Sequence, residues 1–188
     1  MPQPQFIVPQ QEHAALILSW RTSQRVTRYM FTDVVHGLPE QEAWLRRCLE
    51  RTDYRHWLVV HGDRPIGLVN LQDIDWAARC SASGFYIGEE EFLPLGGFIL
   101  PYLYNHTFTE LGFTTMTAEV MEGNIDVMRL HRVHGYVEEE PRPGGIEKDG
   151  IVYPVRRFRL TREAWQAQRN FQRYRAAFPW PVSAPPTP

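Results

Sequence analysis

The chain has 188 residues, of which 43% are hydrophobic and 22% are charged. This length suffices for one well-buried α/β domain and is too short for two domains of ordinary size. The formal net charge of −2 gives no reason to expect nucleic-acid binding. No stretch approaches the roughly 20 apolar residues that a membrane-spanning helix needs.

Two features of the sequence predict a reducing, cytoplasmic location. The only two cysteines, Cys48 and Cys80, lack the spacing of a metal site or a disulfide framework. The first five residues, Met-Pro-Gln-Pro-Gln, lack the basic and apolar regions of a signal peptide. We therefore expect a cytoplasmic protein that contacts no membrane.

The first part of the chain predicts one strand followed by helices. Residues 6–8 are a short β-prone run, residues 12–20 have a helical pattern, and residues 21–31 continue as a second short helix or turn. Pro39 suits the first position of the next helix. That helix carries an apolar stripe at i, i+1, i+4 and i+5, formed by Trp44, Leu45, Cys48 and Leu49.

The middle of the chain changes to the pattern of β-strands. Residues 56–61 read as a buried strand, residues 65–74 as its hairpin partner, and residues 83–88 as a third strand. The apolar and aromatic run at 95–108 predicts a buried helix.

The last part of the chain alternates strands and helices. The predicted elements are, in order, a strand at 115–120, a helix after Asn124, strands at 136–139 and 151–160, and a charged helix at 162–178. Residues 179–188 contain five of the 15 prolines, and this composition predicts a disordered tail.

The helix after residue 124 has clear start and stop signals. Asn124 is a good N-cap, because its side-chain oxygen can accept an unpaired N–H of the first turn. Val127, Leu130 and Val133 are three residues apart and share one helix face. Gly135 suits the C′ position, where a left-handed backbone is readily adopted by glycine.

This block resembles the last motif of the GNAT acyl-CoA N-acetyltransferases. In that family an Asn opens a helix, a Tyr or similar group follows seven residues later, and a Gly-aromatic pair ends it. The positions here are Asn124, His131 and Gly135-Tyr136. The order of predicted elements over residues 5–161 is also the GNAT order. The resemblance implies an α+β GNAT domain at 1–161, with a mixed, mostly antiparallel sheet of about seven strands flanked by helices.

A finer resemblance concerns the acyl acceptor. The pairs Trp20-Arg21 and Tyr29-Met30, the run at 39–45, the hairpin at 64–69 and the strand at 84–87 are similar to aminosugar-nucleotide N-acetyltransferases of the pseudaminic-acid pathway. This implies direct attack on acetyl-CoA by the primary amine of a small molecule, such as a nucleotide-linked amino sugar. Two alternatives stay open: a ribosomal-protein-type N-terminal acetyltransferase, and a non-catalytic domain that binds acyl-CoA or nucleotide.

The same resemblance implies where acetyl-CoA, the expected cosubstrate, would bind. A loop that enters a helix N-terminus presents free N–H groups to phosphate oxygens. The expected cofactor-binding residues are Tyr86, Ile87, Leu95, Gly96, Gly97, Phe98 and Asn124. The basic residue that usually precedes the glycines in the family is missing, so a simple glycine-rich turn is the competing interpretation.

Two catalytic residues are candidates. His131 occupies the position of the family's usual Tyr, and a histidine with its reference pKa of about 6.5 could protonate the departing sulfur. The alternative is that His131 only packs. Glu119, at the end of a strand, could take the proton of the acceptor ammonium, although a solvated surface charge is the simpler interpretation. His131 and His134 lack further ligands at suitable spacing, so no metal is expected.

The expected acceptor site combines aromatic and basic groups. Trp20, Arg21, Arg25 and Tyr29 fall within one short region. Aromatic rings stack on sugars or bases, and arginine suits phosphates. The alternative is an ordinary solvated helix with its aromatic side chains turned inward. The expected partners are acetyl-CoA and a small amine, and homodimer formation is left open.

Overall fold

The computed structural model describes residues 3–180. Its elements are, in chain order, β1 Gln5–Ile7, α1 Ala14–Thr22, α2 Gln24–Thr27, α3 Leu38–Glu50, β2 Tyr54–His61, β3 Arg64–Asp75, β4 Cys80–Ile87, α4 Gly96–Asn105, β5 Thr115–Met121, α5 Ile125–Val133, β6 Val137–Glu139, β7 Ile146–Lys148, β8 Ile151–Tyr153, β9 Val155–Thr161 and α6 Arg162–Ala167. Short 3-10 segments precede α1 and α4 and follow α6. No helix within residues 3–180 is both long and apolar enough to cross a membrane.

Seven strands form one twisted sheet in the order β1-β2-β3-β4-β5-β9-β6. All neighbouring strands are antiparallel except β4 and β5, which are parallel. The predicted α+β class, with a mixed and mostly antiparallel sheet of about seven strands, is confirmed. The remaining strands, β7 and β8, pair with each other as a separate hairpin.

The two faces of the sheet pack against different helices, because side chains alternate along each strand. Val69 and Leu71 of β3 belong to the larger core, which includes residues of α4, of the segment after it and of the C-terminal segment. Leu68 belongs to a second core with Ile17 of α1 and Leu45 of α3. We call the face of the sheet under the larger core the α4–α5 face and the face under the second core the α1–α3 face.

The predicted helix at 162–178 is wrong beyond Ala167. Long-range contacts hold the following residues in place of a continuing helix. The side-chain nitrogen of Asn105 donates to the carbonyl oxygens of Phe171, at 2.9 Å, and Tyr174, at 2.8 Å. Phe178 then stacks on Phe6 with ring centroids 4.1 Å apart.

The predicted tail and the last predicted strand also need correction. Pro179 and Trp180 are packed on the domain, and the Pro179 carbonyl accepts a hydrogen bond from Trp57 Nε1 at 2.7 Å. The rest of the predicted tail lies outside the described residues. The strand predicted at 151–160 is interrupted at Pro154, which has no N–H to continue a ladder.

Candidate active site

The two parallel strands separate in the middle of the sheet. Their pairing joins residues 80–82 of β4 to residues 115–117 of β5 and extends no further. A cavity of about 1130 Å³ occupies the gap between the strands. Beyond Ala82, the edge of β4 that faces β5 is therefore left uncovered by a strand.

This cavity reaches both faces of the sheet. Its wall on the α4–α5 face includes Phe85, Gly96, Gly97, Val120, Leu130 and His131. Its wall on the α1–α3 face includes Trp44, Tyr54, Asn70, Gly84, Tyr86 and Glu119. Two ligands can therefore approach from opposite faces and meet in the gap.

The N-terminus of α4 borders the cavity through two glycines. Neither Gly96 nor Gly97 has a left-handed backbone, and a Cβ added at either would make only ordinary contacts, the nearest being Ile87 Cγ1 and Leu130 Cδ1, each at 3.5 Å. The fold itself therefore does not require glycine at these positions. Their small size keeps the backbone accessible from the cavity, as close approach of a ligand requires.

The predicted cofactor-binding residues divide into two groups. Ile87, Gly96, Gly97 and Asn124 line the α4–α5 side of the large cavity, whereas Leu95 and Phe98 line a separate cavity of about 650 Å³. Tyr86 also lines the large cavity, but its ring packs in the α1–α3 core beside Trp20. Only its backbone therefore faces the gap from the side expected for the cofactor.

The two ends of α5 differ in how well they match the sequence signals. Asn124 is the N-cap residue, but its side chain makes no capping hydrogen bond with any described residue, which corrects the predicted cap. Its backbone ψ of 66° departs from the extended conformation of a capping residue. Asn124 lines the cavity. Gly135 has a φ of 92°, which confirms the predicted left-handed C′ position.

His131 is buried between aromatic rings. Its side chain is 3% exposed, and its ring centroid lies 4.7 Å from that of Tyr136 and 5.6 Å from that of Phe158. Burial, with a smaller effect of His134, lowers the pKa of His131 to about 3. The imidazole is therefore neutral at physiological pH, which favours the packing interpretation over an imidazolium that donates a proton.

His134 connects α5 to the start of α4. Its Nε2 lies 3.1 Å from the carbonyl oxygen of Gly97, and the side chain is fully buried. Burial lowers the pKa of His134 to about 4, so the ring is neutral and donates this bond through an N–H at Nε2. The bond holds the two helix ends that border the cavity in fixed relation.

Glu119 lines the cavity on the α1–α3 face, as part of an ion-pair cluster. Its carboxylate lies 2.9 Å from the guanidinium of Arg142 and 3.8 Å from that of Arg157. Both oxygens are thus near a positive charge. This arrangement holds the carboxylate in place on the acceptor side of the cavity.

The four predicted acceptor-binding residues are not equivalent. Trp20 is 4% exposed and lies in the α1–α3 core, where its Nε1 donates to Glu89 at 2.8 Å. This buried position lies outside the lining of the large cavity, which favours the alternative that the Trp20 ring is turned inward. The guanidinium of Arg25 donates to the carbonyl oxygens of Ile87, at 2.9 Å, and Gly88.

Arg21 and Tyr29 line the cavity, as does Arg25. Arg21 donates to the carbonyl oxygen of Thr32 at 3.1 Å, and Tyr29 lies under the guanidinium of Arg28 at 4.6 Å. Arg21 and Arg25 therefore both bind carbonyl oxygens of the protein's own backbone. They hold the segment between α1 and α3 against the sheet.

Sequence reasoning missed the polar group at the floor of the α1–α3 side. Asn70 lies within the otherwise apolar run Leu68-Val69-Asn70-Leu71 of β3 and donates from Nδ2 to the Tyr54 hydroxyl at 3.1 Å. An amide within a buried strand requires partners, and this was the available signal.

The comparisons with known proteins agree with this geometry. Residues 6–137 match the acetyltransferase (GNAT) domain family. Among solved structures, spermidine N-acetyltransferase from Vibrio cholerae in complex with CoA and spermine has a TM-score of 0.80 at 18% identity, over 87% of this chain and 98% of that one. A dodecameric form of that enzyme has a TM-score of 0.74 at 17% identity, over 87% and 96%. A comparison with curated protein sequences finds no match.

The family match covers more than half of the chain, and the fold, the separated strands and the glycine-bordered helix all agree with it. The predicted GNAT family, the enzymatic activity and the use of acetyl-CoA are confirmed, whereas the finer resemblance to enzymes of the pseudaminic-acid pathway is not supported by these comparisons. The chain belongs to the GNAT acetyltransferases: it is an N-acetyltransferase that uses acetyl-CoA as its cosubstrate.

Proposed function

We propose that the enzyme acetylates the primary amine of a small molecule of low net charge, by direct attack of the amine on acetyl-CoA. The observation that carries this proposal is the cavity that passes through the sheet between β4 and β5. It supports a cosubstrate on the α4–α5 face and an amine on the α1–α3 face, with the reacting atoms in the gap.

The residues on the α4–α5 face fit acetyl-CoA. The backbone at Gly96 and Gly97 is open to a pyrophosphate at the start of α4, and the Asn124 amide can bind polar groups of the cosubstrate. Acetyl-CoA supplies the acetyl group as a reactive thioester. Backbone N–H groups on the uncovered edge of β4 beyond Ala82 are positioned to hydrogen-bond the thioester oxygen as negative charge develops there.

In the proposed reaction, side chains of the protein accept protons through water and not by direct contact with the reacting atoms. We retain Glu119 as the acceptor of the ammonium proton through water, because it lines the cavity on β5 beside the gap. His131 contributes as a neutral, packed ring at the cavity wall. The ammonium loses two protons during the reaction. Glu119 passes the first to solvent, and the second balances the proton that the departing thiolate gains, so one proton is released for each acetyl transfer.

The charges on the acceptor side favour a substrate of low net charge. Three of the five carboxylates that line the cavity are each paired with a cation: Glu119 with Arg142, Asp33 with Lys148 and Glu139 with Arg159. A polycation such as spermine, which binds to the V. cholerae enzyme, would have to compete with these pairs. A nucleotide-linked sugar is also less favoured, because Arg21 and Arg25 are engaged with carbonyl oxygens.

The test is acetyl transfer to a panel of amines, measured as release of the CoA thiol and verified by mass spectrometry of the product. The panel contains cyclohexylamine, trans-2-aminocyclohexanol, spermidine, a nucleotide-linked 4-amino sugar and a tripeptide with a free N-terminus. Faster transfer to a ring amine than to spermidine, the nucleotide sugar or the tripeptide supports the proposal. Preference for any of those three overturns it and names the acceptor class instead.

A further inference from the structure

Two buried polar atoms, in residues that line the acceptor side of the cavity, lack a hydrogen-bond partner in the described part of the chain. Asn70 Oδ1 and the Tyr86 hydroxyl are both buried, and neither makes a hydrogen bond within residues 3–180. Both residues line the large cavity. Buried polar atoms are paired in the great majority of cases, so an unpaired set beside a cavity indicates the position of a ligand.

The Asn70 amide makes one side-chain hydrogen bond, to Tyr54. Its Nδ2 donates to the Tyr54 hydroxyl, which leaves Oδ1 over Gly84, the residue opposite Asn70 on β4. A Cβ added at Gly84 would lie 2.6 Å from Oδ1. The glycine therefore leaves room for this oxygen, and Oδ1 can only accept a hydrogen bond.

The Tyr86 hydroxyl can both donate and accept. Tyr86 is on β4, two residues beyond Gly84, and its side chain lies on the same face as Asn70. Burial raises the pKa of Tyr86, so the hydroxyl remains protonated. The pair thus offers one acceptor and one group that acts either way, with no charge.

We propose that Asn70 Oδ1 and the Tyr86 hydroxyl bind a hydroxyl group next to the reactive amine, so that the enzyme selects amino alcohols over plain alkylamines. The inference rests on the proposed function. Asn70 is on β3, one strand further from the gap than β4, and neighbouring strands are about 4.8 Å apart. The hydroxyl that Asn70 binds is therefore not on the reacting nitrogen but on a substituent next to it.

A neutral hydroxyl fits this floor better than a second ammonium group. An ammonium requires a carboxylate or several oxygens to replace its water, whereas a hydroxyl can donate to Asn70 Oδ1 and accept from Tyr86. Asn70 is then a specificity-determining residue. Tyr54 is a positioning residue, because it acts only by holding the amide.

The experiment compares trans-2-aminocyclohexanol with cyclohexylamine, which differ by one hydroxyl next to the amine. For the unaltered enzyme we expect kcat/KM to be about 10-fold higher for the amino alcohol, as one buried hydrogen bond allows. Asn70→Leu should reduce that ratio to near one, mainly by slowing the amino alcohol. Gly84→Ala should do the same without removing Asn70, because the new methyl group displaces Oδ1.

Folding and cosubstrate binding are monitored in the same variants through Tm and the KM for acetyl-CoA. Asn170→Leu, at an exposed position outside the cavity lining, is the matched control and should preserve the ratio. Equal loss for both amines in Asn70→Leu, or a ratio that stays at 10-fold, overturns this inference while the proposed function stands. Transfer to neither ring amine overturns both.

Discussion

The ammonium of Lys148 lies 2.7 Å from the carboxylate of Asp33. Lys148 ends β7, and Asp33 lies between α2 and α3, so this pair ties the β7–β8 hairpin to a segment that lines the acceptor side of the cavity. Lys148 also donates to the Thr27 carbonyl oxygen at 2.8 Å. We call this arrangement the Lys148 bridge.

Breaking the Lys148 bridge should affect the acceptor more than the cosubstrate. In Lys148→Met, the KM for the best amine of the panel should rise several-fold, because the acceptor wall loses its tether, while the KM for acetyl-CoA stays constant. The hydrogen bond from Lys148 lowers the pKa of Asp33, so the bridge is complete above that carboxyl's ordinary value and weakens as pH falls through the lowered one. Asp53→Asn breaks the exposed pair with Arg51 and is the control; an equal effect there would contradict the prediction.

The glycine at the start of α4 should be replaceable only by a small residue. Gly97→Ala adds a Cβ that meets Leu130 Cδ1 at an ordinary 3.5 Å and should preserve activity. Gly97→Leu should fill the space left for the cosubstrate and weaken acetyl-CoA binding about 10-fold or more, equivalent to about 1.4 kcal/mol. Isothermal titration with acetyl-CoA measures this. Unchanged affinity in Gly97→Leu would show that the cosubstrate does not approach this helix end.

The ring of His131 should matter for packing more than for proton transfer. His131→Phe keeps a ring of similar size between Tyr136 and Phe158, so kcat should stay within about 3-fold of the original. His131→Ala leaves a cavity and should lower the free energy of unfolding by about 2–4 kcal/mol. Steady-state kinetics gives kcat, and urea unfolding gives the free energy of unfolding. A 100-fold loss of kcat in His131→Phe, with unaltered stability, would restore the proton-donor role.

Four buried histidines should make the protein sensitive to mild acid. Burial lowers the pKa of His131 to about 3 and that of His56, His106 and His134 to about 4. The unfolded chain, with pKa values near 6.5, binds more protons between these limits, so stability falls as pH drops from about 6.5 towards 4.

Each of these histidines can contribute up to about 1.4 kcal/mol per pH unit within that window, and nothing above it. Urea unfolding at pH 5, 6, 7 and 8 should therefore show a midpoint that rises between pH 5 and 7 and then levels. His106→Phe should flatten the slope. A midpoint that is constant from pH 5 to 7 would mean that these rings bind protons equally in the folded and unfolded states, which would contradict the lowered pKa values.

The C-terminal segment should depend on one amide. Besides its two donated bonds, Asn105 accepts from Trp165 Nε1 at 2.8 Å, so its side chain is fully partnered inside the core. Asn105→Leu leaves the three polar partners of this side chain unpaired and should lower the free energy of unfolding by about 3 kcal/mol or more. Urea unfolding gives the cost, and faster tryptic cleavage at Arg173 or Arg175 should accompany it. Asn170→Leu should stay within about 0.5 kcal/mol, as exposed substitutions do.

Local signals in the sequence predicted the backbone of the site well. Gly135 shows why: a left-handed C′ residue is a property of a few neighbouring residues, and the structure has it. The alternation of strands β2 to β5 is equally local. The arrangement of the sheet followed from the resemblance to GNAT proteins rather than from these patterns.

Long-range contacts decided the features that were not predicted. The helix expected at 162–178 does not continue beyond Ala167. The carbonyl oxygens of Phe171 and Tyr174 are bound by Asn105, which lies more than 60 residues earlier in the chain. Trp20 is of a residue type common in ligand-binding sites, but it is enclosed in a core with residues of α3, β2 and β3. The lowered pKa of His131 likewise depends on rings brought from other elements, which no spacing within α5 reveals.

The passage through the sheet has a consequence for how ligands leave. In the proposed arrangement the cosubstrate and the amine enter from opposite faces, so neither has to depart before the other and both products can exit independently. A molecule that covalently joins the two would be threaded between β4 and β5 with a bulky group on each side. Its release would require one end to pass through the opening or the strands to part, so its residence time would be governed by the width of that opening as well as by its contacts.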